Sequence, residues 1–198
     1  MDYLFAPDQY VTPDFLIRSY RRGDGAMLSE AATTSYDHLH TYMPWAIPDY
    51  KVGDAERWCR IKAGHYLTNE DFSLGIFTRD GTKMLGGTGY HLREGDISTH
   101  NAEVGMWIRA DAAKKGLGTQ VLIAVIDWGF TQWPWMRLSW RCDTTNVASA
   151  RVAEKAGMTR EGLLRSDFPT EDNKRRDTYI YSIIKSEWLA RQPKKKEW

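Results

Sequence analysis

Apolar and polar positions along the chain fall into short blocks, some alternating and some spaced three to four apart, the pattern of one mixed α/β unit. Residues 15–21 alternate, with Phe15, Ile17 and Ser19 against Leu16, Arg18 and Tyr20, and predict a first strand. Asp24 is placed to cap a helix carrying Met27, Leu28, Ala31 and Ala32. A second helix is predicted from Asp54, with Ala55, Trp58, Cys59 and Ile61 on one side. Between them, Tyr42-Met43-Pro44-Trp45-Ala46-Ile47-Pro48 is a loop, because prolines exclude regular helix and central strand. Apolar runs over 72–78 and 84–92 flank Arg79-Asp80-Gly81-Thr82, a hairpin signal. Residues 103–109 alternate again, Val104, Met106 and Ile108 against Glu103, Gly105 and Trp107. From Leu117 the period becomes helical through Val121, Val125 and Trp128. A strand over 136–142, a helix over 146–156 with Gly157 at its C-terminal cap, and strands over 159–164 and 178–184 complete the order βααβββαβαββ. The fold class is α/β (α+β), a single domain over residues 1–198 around one central sheet.

Composition narrows the function classes. The 198 residues are 42% apolar and 27% charged, as in a globular domain. Lys and Arg total 27 against 26 Asp and Glu, a net charge of +1, so no nucleic-acid partner is expected. No apolar stretch approaches the ~20 residues that cross a bilayer, and no membrane partner is expected. The first residues, MDYLFAPDQY, lack the basic and apolar regions of a secretory signal, so a cytoplasmic location is expected. Cys59 and Cys142 stand apart without a CxxC or Cys/His cluster, so neither a metal site nor a disulfide framework is expected. The segment 192–198, QPKKKEW, reads as a solvated tail. The 9 Trp and 10 Tyr exceed what a core of this size requires.

The segment with most chemistry is the turn between strand 103–109 and the helix after it. A helix N-terminus offers unpaired N–H groups and partial positive charge to an anion. Gly116 and Gly118 let a pyrophosphate approach the backbone, and Lys114 and Lys115 add charge. A P-loop is excluded, because Gly116-Leu117-Gly118-Thr119 lacks its lysine, and a dinucleotide fingerprint would need glycine where Val121 stands. Glycine also serves ordinary turns, so the triplet alone leaves both readings open.

Further segments in fixed order carry a resemblance. Trp107-Ile108, Lys115-Gly116-Leu117-Gly118, Asn146-x-x-Ser149 and Glu154-Lys155-x-Gly157-Met158 resemble the GNAT superfamily of acyl-CoA-dependent N-acyltransferases, over nearly all of 15–188. The Met43-Pro44-Trp45 loop and Glu103-Val104-Gly105-Met106-Trp107-Ile108 resemble its branch of ribosomal-protein N-terminal acetyltransferases. The resemblance implies a GNAT-like fold with a mixed, mostly antiparallel, splayed sheet of about seven strands flanked by helices. It implies acetyl-CoA as acyl donor, with pantetheine lying between strands 103–109 and 136–142 along the main chain of Trp107, Ile108 and Arg109. The turn of Lys114, Lys115, Gly116, Leu117, Gly118 and Thr119 would hold the phosphates, with Arg151 beside it, and Asn146 would bond the pantetheine arm.

For the chemistry, the resemblance implies Glu103 as base through a water, Ser149 as the acid that protonates the leaving sulfur, and a backbone N–H near Ile108 for the developing oxyanion. No covalent acyl-enzyme is required. Tyr42, Trp45 and His91 fall on the acceptor side, with Trp58 near the same loop. Plainer readings stand beside these: Glu103 as a strand-edge carboxylate, Ser149 as a first-turn helix residue, Asn146 as a helix cap, His91 as a structural hydrogen-bonder, and Glu154 and Lys155 as a solvated helix face. Trp133-Pro134-Trp135, with Trp140, packs at a helix-to-strand corner or forms a dimer surface.

In one place the chain departs from the family: Ala113 stands where Gln or Arg usually precedes the first glycine, and Lys114 or Lys115 is expected to compensate. The activity implied is acetyl transfer to a primary amine, a protein or peptide N-terminus ahead of a polyamine, amino sugar or antibiotic. A succinyl-CoA-dependent transferase, a non-catalytic acyl-CoA-binding module and a homodimer stay open.

Overall fold

The computed structural model describes residues 4–93, 95–170 and 174–193. Its strands are β1 (Gln9–Val11), β2 (Phe15–Ser19), β3 (Phe72–Thr78), β4 (Met84–His91), β5 (Asn101–Ile108), β6 (Arg137–Asp143), β7 (Thr159–Pro169) and β8 (Arg175–Ile184). They form one eight-stranded sheet in the order β1-β2-β3-β4-β5-β6-β8-β7. The helices are α1 (Gly25–Thr34), α2 (Tyr36–Leu39), α3 (Val52–Leu67), α4 (Leu117–Gln132), α5 (Val147–Lys155) and α6 (Lys185–Arg191). The short β1, α2 and α6 are additions to the sequence expectation, and β1 raises the strand count from about seven to eight. The β7–β8 hairpin is also longer than expected, because most of β7 is exposed and carries no alternating burial signal. Of the expected tail 192–198, residues 194–198 lie outside the described residues.

Both faces of the sheet are covered. On one, Val121, Leu122, Val125 and Trp128 of α4 pack with Leu74, Tyr90, Val104 and Leu138. Trp133 and Trp135 are buried at the corner after α4, stacked 5.9 Å apart, with Trp133 also 4.8 Å from Phe72. Corner packing is therefore the reading that holds for this run. On the other face, Leu28 and Ala31 of α1 and Ala55 and Cys59 of α3 meet Tyr20, Phe77 and Met84. Ile61 does not share this side and is 45% exposed. At 3.6 residues per turn it lies about 120° round the helix from Ala55.

Asp24 departs from its expected role as a helix cap. Its carboxylate takes a bidentate pair from Arg18 at 2.7 and 2.8 Å and the Arg21 N–H at 2.7 Å. Two charge-assisted bonds to a buried guanidinium outweigh a single cap bond. The amides of Gly23 and Gly25, at the start of α1, are met instead by the Glu56 carboxylate of α3. Arg18 also lies 3.9 Å over the Phe77 ring, so this pair joins β2, α1 and β3.

One feature of the sheet positions the site. The β5–β6 pair is parallel and registered only at Asn101↔Arg137, Ala102↔Leu138 and Glu103↔Ser139. Beyond Glu103, β5 stays with β4 as far as Ile108↔Gly86, while β6 stays with β8 as far as Asp143↔Thr178. A gap opens between them.

Arg18 and Asp24 are 6% and 4% exposed, so removing one strands the other's charge in the interior. Asp24→Ala is expected to lower the unfolding free energy by about 3 kcal/mol, read as a lower urea midpoint at unchanged m-value. A loss below about 1 kcal/mol would contradict this account of the pair.

Candidate active site

Backbone direction decides what the gap offers. In a strand, successive residues turn their peptide groups to opposite sides. Just past β5, the Arg109 N–H donates to Leu85 O at 2.9 Å, toward β4. Ala102 O, on the other side, accepts from Ser139 Oγ at 3.4 Å. By this alternation Gly105 and Trp107 bond toward β4, whereas Met106 and Ile108 turn their N–H and C=O into the gap. These are places for an extended polar chain to bond as a strand would.

At the wide end of the gap is the glycine turn. Lys114 and Gly116 both have left-handed backbones, φ 61° and 87°, which reverse the chain into α4. The Gln120 N–H is bonded to Gly116 O at 3.2 Å. The amides of Leu117, Gly118 and Thr119 precede it and form the open donor end of the helix. A Cβ at Gly118 would lie 3.6 Å from Met106 Cε and Val152 Cγ2, so the first turn of α4 sits between β5 and α5. Lys115 Nζ is engaged with Asp111 O at 2.8 Å, bracing the turn, while Lys114 and Arg151 are exposed.

Arg109 is placed differently from the pantetheine-lining role expected of it. Its N–H goes to Leu85, and its guanidinium is held by Glu30 at 2.8 Å, Asp111 at 2.6 Å and Met84 O at 3.1 Å. Trp107 likewise turns its peptide away from the gap. Asn146 caps α5, its Oδ1 accepting the Ser149 N–H at 3.0 Å. Ser149 Oγ accepts from Trp140 Nε1 at 3.1 Å, which leaves the hydroxyl hydrogen to donate. Burial pushes the Cys142 thiol up, and a hydrogen bond from Ser149 opposes it. Cys59, pushed up to about 12 chiefly by burial, remains a protonated core thiol.

The narrow end of the gap adjoins a cavity of about 600 Å³ beneath α1 and α3. Tyr20, Trp45, Tyr50, Trp58 and Trp107 give it aromatic walls. Trp45 meets Trp107 edge-on at 5.4 Å, and Tyr20 meets Trp58 at 4.9 Å. A Cβ at Gly87 would fall 2.4 Å from Trp107 Nε1, so glycine is what lets that indole lie across β4. Tyr42 does not line the cavity; its hydroxyl donates to Thr145 O at 3.2 Å and ties the aromatic loop to the β6–α5 turn.

The polar groups of the cavity include Glu103, His91 and Asp71. Glu103 faces His91 in the β4–β5 register and lies 3.7 Å from Arg93 Nε. His91 Nδ1 is 2.7 Å from Asp71 Oδ1, while Asp71 Oδ2 accepts from Ser73 Oγ at 2.7 Å and Lys62 Nζ at 3.1 Å. Burial raises the Asp71 carboxyl, but the His91 hydrogen bond and charge, Ser73 and Lys62 outweigh it and hold the group well below the usual carboxylate range. The structure thus brings Glu103, His91 and Trp45 to one cavity, and sets Ser149 on α5, where it bonds to a β6 side chain. Asp71 and Lys62 were not singled out in the sequence. Among the described residues, no three His, Cys, Asp or Glu are gathered as a metal site, and no helix is long and apolar enough to cross a membrane.

Residues 14–159 match the family described as the Acetyltransferase (GNAT) domain. A Bacillus subtilis (strain 168) protein named "Uncharacterized N-acetyltransferase YnaD" is 27% identical over 177 residues, covering 89% of this chain and 97% of the relative. The ribosomal-protein-S5-alanine acetyltransferase of Vibrio fischeri superposes with a TM-score of 0.80 at 17% identity, over 94% of this chain and 100% of its own. The ribosomal L7/L12 α-N-protein acetyltransferase RimL, solved with coenzyme A, gives a TM-score of 0.79 at 17% identity, over 88% and 96% of the two chains. At these identities the two structures attest a shared fold.

The open amides of α4 are tested by Gly118→Glu, which sets a carboxylate at the anion end of the helix. Coenzyme A at ~100 times its Kd is expected to raise the wild-type melting temperature by several degrees. The variant should lose most of that shift while melting close to wild type on its own. An undiminished shift would place the phosphates elsewhere.

Proposed function

Because the chain belongs to the GNAT acetyltransferase family, we propose that this acetyl-CoA-dependent N-acetyltransferase takes the α-amino group of a protein or peptide N-terminus as acceptor. The observation that carries this reading is the aromatic-walled cavity beside the point where β5 leaves β6, with Glu103 and His91 within it. Such walls suit a first residue with an apolar body next to a single amine. A polyamine would call for uncompensated negative charge. Here Glu103 already faces Arg93, and Asp71 already holds Lys62 and His91. The solved relatives named for ribosomal-protein N-termini add support from the fold.

When bound, acetyl-CoA supplies an acetyl group activated as a thioester. The peptide groups of Met106 and Ile108 would hold the pantetheine arm as an added strand, and the Asn146 side-chain amide, whose oxygen caps α5, would donate its N–H groups to that arm. The amides of Leu117, Gly118 and Thr119 would receive the phosphates, with Lys114 and Arg151 outside them. The missing side chain at Ala113 leaves this backbone cradle intact. Ser149, its oxygen occupied by the Trp140 indole, would give its proton to the sulfur as the C–S bond breaks. An N–H of β5 turned into the gap, at Met106 or Ile108, would meet the charge that develops on the carbonyl oxygen. Two groups of the cavity, Glu103 and His91, are able to take the proton of the amine.

The test is a panel of acceptors assayed by release of free thiol from acetyl-CoA. Short peptides beginning with Ala or Ser are expected to exceed spermidine and an amino sugar in kcat/KM by at least about tenfold, a difference of ~1.4 kcal/mol. Ser149→Ala is expected to lower kcat about 10- to 100-fold. Faster turnover of the small amines would favour a small-molecule acetyltransferase. Tight binding of acetyl-CoA with no transfer to any amine would favour a non-catalytic module.

A further inference from the structure

Asp71 stands one residue before β3, and His91 ends β4. The β3–β4 register pairs Phe72 with Tyr90, so Asp71 and His91 come next to each other at the end of that ladder. Two features of the pair exceed what a structural hydrogen bond requires. First, the chemistry of the contact fixes the ring. Asp71 is held in its ionised form by His91, Ser73 and Lys62, against the effect of burial. An ionised carboxylate only accepts hydrogen bonds, so the hydrogen between them sits on His91 Nδ1. With the hydrogen on Nδ1, the lone pair of the neutral form of the ring is on Nε2.

Second, Nε2 lies over bare backbone. A Cβ at Gly105 would be 2.9 Å from Nε2, and one at Gly89 would be 3.2 Å away. Only glycine at these positions leaves the ring where it is. Gly105 is two residues beyond the last β5–β6 pair, Glu103↔Ser139, so the lone pair stands at the start of the gap. Among the described residues, Nε2 has no hydrogen-bond partner. Glu103, across the ladder from His91, faces the guanidinium of Arg93 at 3.7 Å, so its carboxylate is already engaged with a cation while Nε2 is not.

We propose that His91 Nε2 is the acceptor of the proton released by the attacking amine, and that Asp71 is the positioning residue that fixes the ring and its tautomer. The inference rests on the acetyl-transfer reading of the same cavity. In the step, the amine nitrogen forms a bond to the carbonyl carbon and gives one hydrogen to Nε2 as a proton. The C–S bond breaks with its electron pair on sulfur, which takes a proton from Ser149. His91 then returns its proton to solvent, and Ser149 regains one.

The experiment joins spectroscopy to kinetics on the full chain. In protein labelled with ¹⁵N-histidine, His91 is expected as the Nδ1–H tautomer, and Asp71→Ala is expected to abolish that preference. His91→Gln, similar in size but unable to take the proton, is expected to lower kcat for the best peptide about 100-fold or more, with the thermal stabilisation by acetyl-CoA unchanged. Imidazole added to His91→Ala is expected to restore part of the rate. Asp71→Asn, whose amide oxygen still accepts the Nδ1 hydrogen, should retain more rate than Asp71→Ala. An Nε2–H tautomer in the wild type, a His91→Gln enzyme within about threefold of wild type, or a larger kcat loss in Glu103→Gln would overturn the assignment while leaving the acetyl-transfer reading in place. A wild-type protein that binds acetyl-CoA and acetylates no amine would overturn that reading, and this inference with it.

Discussion

A strand inside a sheet must satisfy its peptide groups on both edges, and β5 does so on only one along half its length. It pairs with β4 from His91↔Glu103 to Gly86↔Ile108, but with β6 at only three positions. The rest of the site follows from that early parting. Met106 and Ile108 face a gap, the first turn of α4 closes its wide end against β5 and α5, and the cavity with Glu103 and His91 adjoins its narrow end. At a rise of about 3.3 Å per residue, Glu103 and Ile108 are ~16 Å apart along the strand. The separation between anion-binding turn and reacting centre is thus set by the number of residues in β5.

The two faces of the sheet divide the work. The α4 face is dry and aromatic, with Trp128, Trp133, Trp135 and Tyr90 packed together, and it fixes where α4 begins. The opposite face is thinned by glycines at 87, 89 and 105, which leave room for the Trp107 and His91 rings and for the cavity around them. Buried polar contacts join the acceptor side to the cofactor side. Arg109 at the end of β5 holds Glu30 of α1, and Ser35 Oγ accepts the Ala110 N–H at 3.0 Å. Asp111 joins Arg109 to Lys83 of the β3–β4 connection. With the Arg109 guanidinium almost fully buried, loss of an acidic partner leaves a charge uncompensated, so α1 and the turn before α4 are held as one body.

Much of this was legible in the residues. The alternation over Glu103, Gly105 and Trp107 against Val104, Met106 and Ile108 separates the cavity side of β5 from the α4 side, and the period change at Leu117 marks the start of α4. Asn146 and Ser149 stand where an N-cap bond requires them. The Asp71–His91 pair was not legible, for a physical reason. The Asp80-Gly81 turn implies a continuous hairpin, yet the ladder pairs Phe77 with Met84 and then Ile76 with Gly86. The extra residue, Leu85, is a bulge that moves every later partner by one and so changes the face each shares. Asp24 misled for a different reason. Local spacing shows a cap residue but not the buried Arg18 that claims its carboxylate. The main chain of Arg109 is expected on the cofactor from its place at the end of the strand, but which edge its N–H faces depends on the β4 partner, and that N–H turns to Leu85.

The most direct test of the account is residue-resolved amide hydrogen exchange along β5, with and without acetyl-CoA. In the free protein, Met106 and Ile108 are expected to exchange faster than Gly105 and Trp107, whose amides bond to β4, and bound acetyl-CoA is expected to slow Met106 and Ile108 selectively. Equal protection of all four amides in the free protein, or unchanged exchange at Met106 and Ile108 when acetyl-CoA is bound, would contradict the claim that this open strand edge is where the acyl donor lies.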